Sequence, residues 1–228
     1  MESPVNALIT LNSLCRKGLV LITLVLSSAA WASSASELVP PDKLITNLFN
    51  EVNERIRKDE AKIAADKQHL SVIGEEVLVP YVSFETMAKQ ILGKNWRKIT
   101  PDQQKRYTVA FKERVSSSIV AQYDPAKQYL LAITGTRTND AGDRAMVNSD
   151  VTEKQSAKKY QISYKLFIDP RSKRWQVYDV AVDGISVLQS FKTAGAEDFK
   201  RNGIEYMIAQ LEKAPEPAQS AAAPQAKP

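Results

Sequence analysis

The chain has 228 residues, with 31 Lys+Arg against 26 Asp+Glu and a formal net charge of +5 at pH 7. That length suits one core of moderate size with a helical extension, and two full domains would be a tight fit. The basic residues are spread among acids instead of gathering into a stripe with aromatics, which argues against nucleic-acid binding.

The N-terminus reads as an export signal spanning residues 1–32. Arg16 and Lys17 supply positive charge, Gly18 to Ala30 supply an apolar segment, and Ala30-Trp31-Ala32 matches a small-x-small cleavage pattern, so the mature chain is expected to begin at Ser33. The apolar run is shorter than the roughly 20 residues a membrane span needs. The one cysteine, Cys15, precedes that run, so export leaves no cysteine. Thiol catalysis, disulfides and cysteine-ligated metals are then excluded from the mature protein. Without residues 1–32, which carry Arg16, Lys17 and Glu2, 29 basic residues face 25 acidic ones, a net charge of +4. A surface of that kind suits brief contact with anionic headgroups or an acidic protein.

Residues 33–213 are expected to form one domain. Leu44, Leu48, Val52 and Ile56 recur every four residues and predict an amphipathic helix from Pro40. A second helical stretch follows, interrupted near Ser71 to Gly74 and stopped by Pro80. A third runs from a Ser83 cap to Gly93, with Phe84, Met87, Ala88, Ile91 and Leu92 on one face. The pattern "ITPDQQ" is a capping box, with Thr100 as N-cap, Pro101 at the first helical position and Gln103 reaching back. The long helix it opens carries Tyr107, Phe111, Val115, Ile119 and Tyr123 at spacings of four, a broad apolar face that touches more than one neighbour.

After Asp124 the period changes to two. Four strands are predicted, in "QYLLAITGTRT", "DRAMVNSDVTE", "KYQISYKLFID" and "RWQVYDVAVDG", joined by short polar turns that make an antiparallel meander. In the third, Tyr160, Ile162, Tyr164, Leu166 and Ile168 alternate with polar residues, so one face needs cover, and the preceding helices are expected to supply it. "DGIS" is expected to open a short helix. A final helix from Ala196 to Lys213 places Phe199, Ile204, Met207, Ile208 and Leu211 towards the sheet. The Pro/Ala/Gln-rich residues 214–228 read as a disordered tail.

Candidate chemistry is sparse. His69 is the only histidine, which removes histidine-based triads and dinuclear sites, and it reads as a surface helix residue. Asp179 and Asp183 fall on one face of a strand by period two, about 13 Å apart, too far for a carboxylate dyad. Asp179 reads as an acceptor for a backbone amide or neighbouring side chain, and Asp183-Gly184 as a tight turn. The amides at the start of "DGIS" could take an anion, or simply cap a helix. The supply of aromatic and aliphatic residues around one sheet allows an apolar cavity beneath a helical cover.

Two stretches, "LVPYVSFETMAKQILGKNWRKITPDQQKRYTVAFKERV" (Leu78 to Val115) and "WQVYDVAVDGISVLQSFKT" (Trp175 to Thr193), carry a resemblance. On Leu92-Gly93, Trp96, Thr100-Pro101, Phe111, Tyr178-Asp179 and Gly184 to Ser186 the chain resembles the MlaC, or toluene-tolerance auxiliary, family. The resemblance implies an α+β fold in which helices and an antiparallel sheet, here four-stranded, enclose an apolar lipid pocket. It implies a non-enzymatic periplasmic carrier, without cofactor or metal, that shuttles phospholipid between the outer and inner membranes and so maintains outer-membrane asymmetry. Its implied partners are an outer-membrane lipoprotein–porin complex and an inner-membrane ABC transporter with a substrate-binding ring, and it is expected to act as a monomer. The expected lining comprises Phe84, Met87, Ile91, Phe111, Val115, Ile119, Tyr160, Ile162, Tyr164, Val177, Val180 and Ile185. The residues leave two other readings open: a periplasmic adaptor or chaperone with an apolar peptide groove, and an enzyme on a cone-like α+β sheet, which would lack a histidine near the sheet and a convincing acid pair.

Overall fold

Proline at the first helical position and the four-residue apolar spacing produce α1 (Pro41–Lys58) in the computed structural model, which describes residues 38–124 and 126–213. The predicted export segment and tail lie outside the described residues. Asp42 in the first turn and Arg55, Arg57 and Lys58 in the last complement the helix dipole. Two short helices follow, α2 (Glu60–Ala65) and α3 (His69–Ile73). The break falls at residues 66–68, earlier than the predicted interruption at Ser71 to Gly74. Asp66 is extended and its carboxylate accepts the Gln68 amide at 2.9 Å, whereas Gly74 keeps helical angles and carries the chain into a π-helical turn, Gly74–Leu78.

His69 is not the free surface residue expected. Its Nε2 lies 2.9 Å from Oδ2 of Asp59, a buried carboxylate at the junction of α1 and α2 that also takes Lys62 Nζ at 3.0 Å. The hydrogen bond from His69, then that from Lys62, push the Asp59 pKa down to about 2. This clasp ties three consecutive helices together.

Beyond a 3-10 turn (Val79–Tyr81), Val82 forms a parallel bridge with Val177, and the Ser83 amide donates to the Val177 carbonyl at 2.9 Å. Ser83 then caps α4 (Phe84–Leu92), which stops at Gly93, φ 53°. A 3-10 segment, Gly93–Lys98, leads to α5 (Pro101–Gln122), where both halves of the predicted capping box form.

The sheet is the predicted meander, with strand order β1 (Tyr129–Thr138), β2 (Arg144–Glu153), β3 (Lys159–Ile168), β4 (Trp175–Val182) and β5 (Ile185–Ser186), every adjacent pair antiparallel. The fifth strand was not predicted. Asp183 (φ 48°) and Gly184 (φ 81°) form a two-residue turn that folds Ile185 back onto Val182. "DGIS" is therefore a hairpin and not a short helix. Ser186 instead caps α6 (Val187–Glu212), its side chain accepting the Gln189 amide, so this helix begins nine residues before the predicted Ala196.

The core divides into two clusters. α1, α2, α3, the π-helical turn and Val120 pack on one face of the sheet, against Ala145, Val147, Leu166, Trp175 and Val177. The second lies among α4, α5, α6 and Trp96, centred on Phe111, whose ring meets Phe191 edge-on at 5.0 Å and Phe84 at 6.2 Å. The apolar residues of the last helix, Phe199, Ile204, Met207, Ile208 and Leu211, join this helical cluster, not the sheet as expected. Gly203 (φ 73°, ψ −176°) breaks α6. Met207 returns to within 3.0 Å of where a Cβ on Gly195 would stand, although twelve residues of straight helix would span about 18 Å. The last turns therefore fold back on the first part of α6.

Only glycine adopts the Gly203 conformation without strain. Gly203→Ala is expected to lose about 1–3 kcal/mol in urea unfolding at unchanged m-value. Gly74→Ala, at helical angles in open space, is expected to gain about 0.4–1 kcal/mol.

Candidate functional site

Strand register resolves the inner face of the sheet, the face turned to α1, into cross-strand rows. The first runs Thr138, Ala145, Leu166, Val177; the second Thr136, Val147, Tyr164, Val180; the third Ile133, Ser149, Ile162, Val182, Ile185; the fourth Leu131, Val151, Tyr160; the fifth Tyr129, Glu153. Two irregularities keep these rows in phase, between Ile133 and Gly135 in β1 and opposite Lys165 and Leu166 in β4.

Cover over these rows is uneven. Ala145, Leu166 and Val177 of the first row and Val147 of the second are sealed by the helices. Tyr164, Val180, Ile133, Ile162, Leu131, Val151 and Tyr160 are only half-buried, and along the third row Val182 rises to 39% exposure and Ile185 to 69%. Helix α5 grades in the same way. Phe111 is fully buried, Val115 half-buried, and Ile119, two turns on, is 59% exposed. α5 makes its main contacts with α6 and α4; in its C-terminal half Val120, with Tyr123 just beyond the helix, packs into the first cluster, while Ile162, Tyr164 and Val180 of β3 and β4 stay half-buried.

The twelve expected lining residues therefore separate into three groups. Tyr160, Ile162, Tyr164, Val177 and Val180 share the inner face, with Val177 already sealed. Phe84, Met87, Ile91, Phe111 and Val115 belong to the close-packed helical cluster, where they line space only if helices part. Ile119 and Ile185 sit at exposed ends of the two apolar rows.

Sequence reading missed Leu131, Ile133, Ser149, Val151 and Val182. Their period-two alternation was visible in β1, β2 and β4, but only the pairing register shows that they share a surface with Ile162. Ser149 is 1% exposed, and among the described residues its Oγ has no hydrogen-bond partner. Burial raises the pKa of the neighbouring Tyr164 hydroxyl.

The fifth row is polar. Glu153 is 5% exposed, and its Oε2 accepts from Lys127 Nζ at 3.2 Å. That hydrogen bond raises the Lys127 pKa and holds its charge. Burial raises the pKa values of Tyr123 and Tyr129, and the Tyr129 hydroxyl also feels Lys127, Glu153 and Tyr160. Lys158 lies over the Tyr160 ring at 4.8 Å.

Two grooves open at the surface, one touching Ile185 and the other Phe84. One of about 590 Å³ is lined by Gly184, Ile185, Ser186, Gln189, Ser190 and Thr193. The other, about 580 Å³, runs between the start of α4 and the β3–β4 turn, with Glu85, Lys89 and Arg171 on its walls. Among the described residues no cluster of His, Cys, Asp or Glu could hold a metal, and no helix is long and apolar enough to cross a membrane.

Comparison with known proteins places this geometry. The profile of the MlaC protein family matches residues 46–213, from within α1 to the end of α6. The chain belongs to the MlaC family. A curated member, the intermembrane phospholipid transport system binding protein MlaC of Haemophilus influenzae, is 20% identical over 200 residues, covering 87% of this chain and 92% of that protein. Among solved structures, the phospholipid-binding protein from Ralstonia solanacearum, in complex with a phospholipid, superposes with a TM-score of 0.67 at 19% identity. The match covers 75% of this chain and 94% of that one, and establishes the shared fold. The MlaC match spans every expected lining residue and, apart from Leu44 and Ile45, both core clusters.

The "YDVAVDGIS" corner of this MlaC-family chain has no acid pair. The bulge opposite Lys165 and Leu166 turns Asp179 away from the inner face, whereas strict period two had placed it on the same face as Asp183. Asp179 is 1% exposed, and it accepts from Ser186 Oγ at 2.8 Å, from the Leu188 amide at 3.2 Å and from Lys165 Nζ at 3.0 Å. Asp183 lies in the turn and accepts the Gln161 amide at 2.9 Å. Asp179 thus pins the first turn of α6 to the sheet. Asp179→Ala leaves the Leu188 amide and the Ser186 hydroxyl without this acceptor, and is expected to cost about 2–4 kcal/mol in chemical denaturation. Lys165→Met removes a half-exposed lysine while Ser186 and Leu188 still donate to the buried carboxylate, and is expected to cost less than Asp179→Ala.

Proposed function

We propose that the chain is a soluble periplasmic carrier that holds phospholipid acyl chains between the half-covered rows of the inner face and α5. In this reading it shuttles lipid between the outer and inner membranes and maintains outer-membrane asymmetry. It docks on an outer-membrane lipoprotein–porin complex and on an inner-membrane ABC transporter carrying a substrate-binding ring.

The observation that carries the reading is the gradient of cover. The first row is sealed at Ala145, Leu166 and Val177, the apolar residues of the next three rows are for the most part half-buried, and the face opens to solvent at Val182 and Ile185 along the β4–β5 edge. Apolar surface of that kind in a folded chain marks a binding surface. Family membership supplies the cargo class, since the H. influenzae relative is named for phospholipid transport and the R. solanacearum relative was solved with a phospholipid.

The energetics need no chemistry. A diacyl phospholipid has about 30 methylene groups, and exposing them to water at about 0.8 kcal/mol each would cost more than about 20 kcal/mol. A covered apolar surface removes most of that penalty on both legs of the journey. Transfer from a bilayer to the carrier is then close to balanced, and small changes on docking decide loading or release. In this scheme the expected residues Phe84, Met87, Ile91, Phe111 and Val115 contribute when α4 and α5 part to admit a second chain. Ile119 and Ile185 form the mouth.

Native mass spectrometry with lipid extraction, on protein purified from periplasm without detergent, tests the reading. Stoichiometric phospholipid is expected, and occupancy should fall at least several-fold in Ile162→Asp and Val115→Trp while both variants stay folded. Unchanged lipid content in both variants would remove this placement. Co-purifying peptide in place of lipid would favour an adaptor or chaperone with a peptide groove.

A further inference from the structure

The fifth row of the inner face carries charge where the other rows carry hydrocarbon. Glu153 is buried at the end of β2, on the same face as Ser149 and Val151, and directly opposite Tyr129. Only one of its carboxylate oxygens is used. Oε2 accepts from Lys127, whereas among the described residues Oε1 accepts no hydrogen bond. That oxygen keeps acceptor capacity for water or for a ligand that donates.

The partner cation is placed differently. Lys127 is 41% exposed at its side chain, so its ammonium, with three donors, retains capacity for a second acceptor. The two charges thus present a cation towards solvent and, beneath it, a paired carboxylate with one oxygen still able to accept. Tyr129 and Tyr160 flank them, and Tyr160 pairs with Val151 and is followed along the same face of β3 by Ile162 and Tyr164. Hydrocarbon therefore runs without a break into a charge pair of opposite signs.

We propose that this rim, Lys127 and Glu153 with Tyr129 and Tyr160, is a headgroup site for a zwitterionic, amine-bearing phospholipid. The inference rests on the carrier reading and deepens it by naming a headgroup class. Lys127 takes the phosphodiester oxygen, which every phospholipid offers. Glu153 Oε1 takes the headgroup ammonium, which an anionic phospholipid lacks, and the tyrosine rings line its path. An anionic headgroup such as glycerol offers Glu153 only hydroxyls, and brings net negative charge beside a buried carboxylate.

The two side chains make separable predictions. The full chain, stripped of lipid, is incubated with vesicles of equal parts phosphatidylethanolamine and phosphatidylglycerol, re-isolated, and its lipid identified by native mass spectrometry. The wild type is expected to take phosphatidylethanolamine in about ten-fold excess. Glu153→Gln, nearly isosteric, is expected to bring the ratio close to one or reverse it, with total lipid little changed. Lys127→Met is expected to lower uptake of both lipids together while retaining the preference. Thermal unfolding of each stripped variant shows whether it is folded before loading. Wild type and a folded Glu153→Gln loading the same headgroup ratio would overturn the headgroup site and leave the carrier reading standing. If Glu153→Gln fails to fold, the Lys127→Met ratio decides, and a wild-type ratio near one overturns the proposal by itself. A wild type that takes up no phospholipid would overturn the carrier reading, and the headgroup site with it.

Discussion

The structure depends on one constraint: long antiparallel strands with alternating side chains create an apolar face that must be covered, and the cover here stops short. β2 and β3 each run ten residues in unbroken pairing, so the inner face extends further than α1 and its short successors can seal. α1 buries only its first turns, through Leu44, Ile45 and Leu48. A complete cover would stabilise the fold further, by about 25 cal/mol for each Å² of apolar surface removed from water. The uncovered rows are the feature that a carrier of hydrocarbon needs.

Cohesion comes instead from elements around that gap. The Asp59–His69 clasp ties the covering helices to one another, the Val82–Val177 bridge fastens the start of α4 to β4, and Asp179 fixes α6 to the corner after β4. α4, α5 and α6 share a core of their own, distinct from the one under the sheet. The two packed bodies are joined through β4, through Val82 and through α5, whose Val120 packs in the first and whose Phe111 packs in the second. The π-helical turn at Gly74–Leu78 and the 3-10 turn after it connect the first body to the second, and irregular helix of this kind often marks a hinge.

Much of this was legible in the sequence. The capping box at Thr100, the Ser83 cap, the four long strands and their meander order all follow from local signals of period and turn chemistry, and each is present. What the sequence hid was non-local. The bulge at Tyr178 shifts Asp179 to the other side of the strand, and no residue in "QVYDVAV" announces it. His69 looked like a surface residue because its partner, Asp59, lies ten positions away at the junction of α1 and α2. The α6 reversal needed only Gly203, but a lone glycine in a helical pattern does not state its own φ. For the candidate site, six of the twelve expected residues lie on the inner face: Tyr160, Ile162 and Tyr164 because period two in β3 was clear, Val177 and Val180 through the β4 bulge, and Ile185 through the β4–β5 hairpin. The helical residues were chosen for being apolar, a property that close-packed core and cargo surface have in common. Lys127 and Glu153 sit at a turn and a strand end, and only register brings them beside Tyr160.

The central claim is that acyl chains lie against the half-covered rows of β3 and β4 and the C-terminal half of α5. Photocrosslinking tests it most directly, using a phospholipid with a diazirine near the middle of one acyl chain, loaded into the folded protein and mapped by peptide mass spectrometry. The account predicts adducts within Tyr160–Val182 and Val115–Tyr123. Adducts confined to the polar groove beside Glu85, Lys89 and Arg171, or scattered over the outer surface, would contradict it.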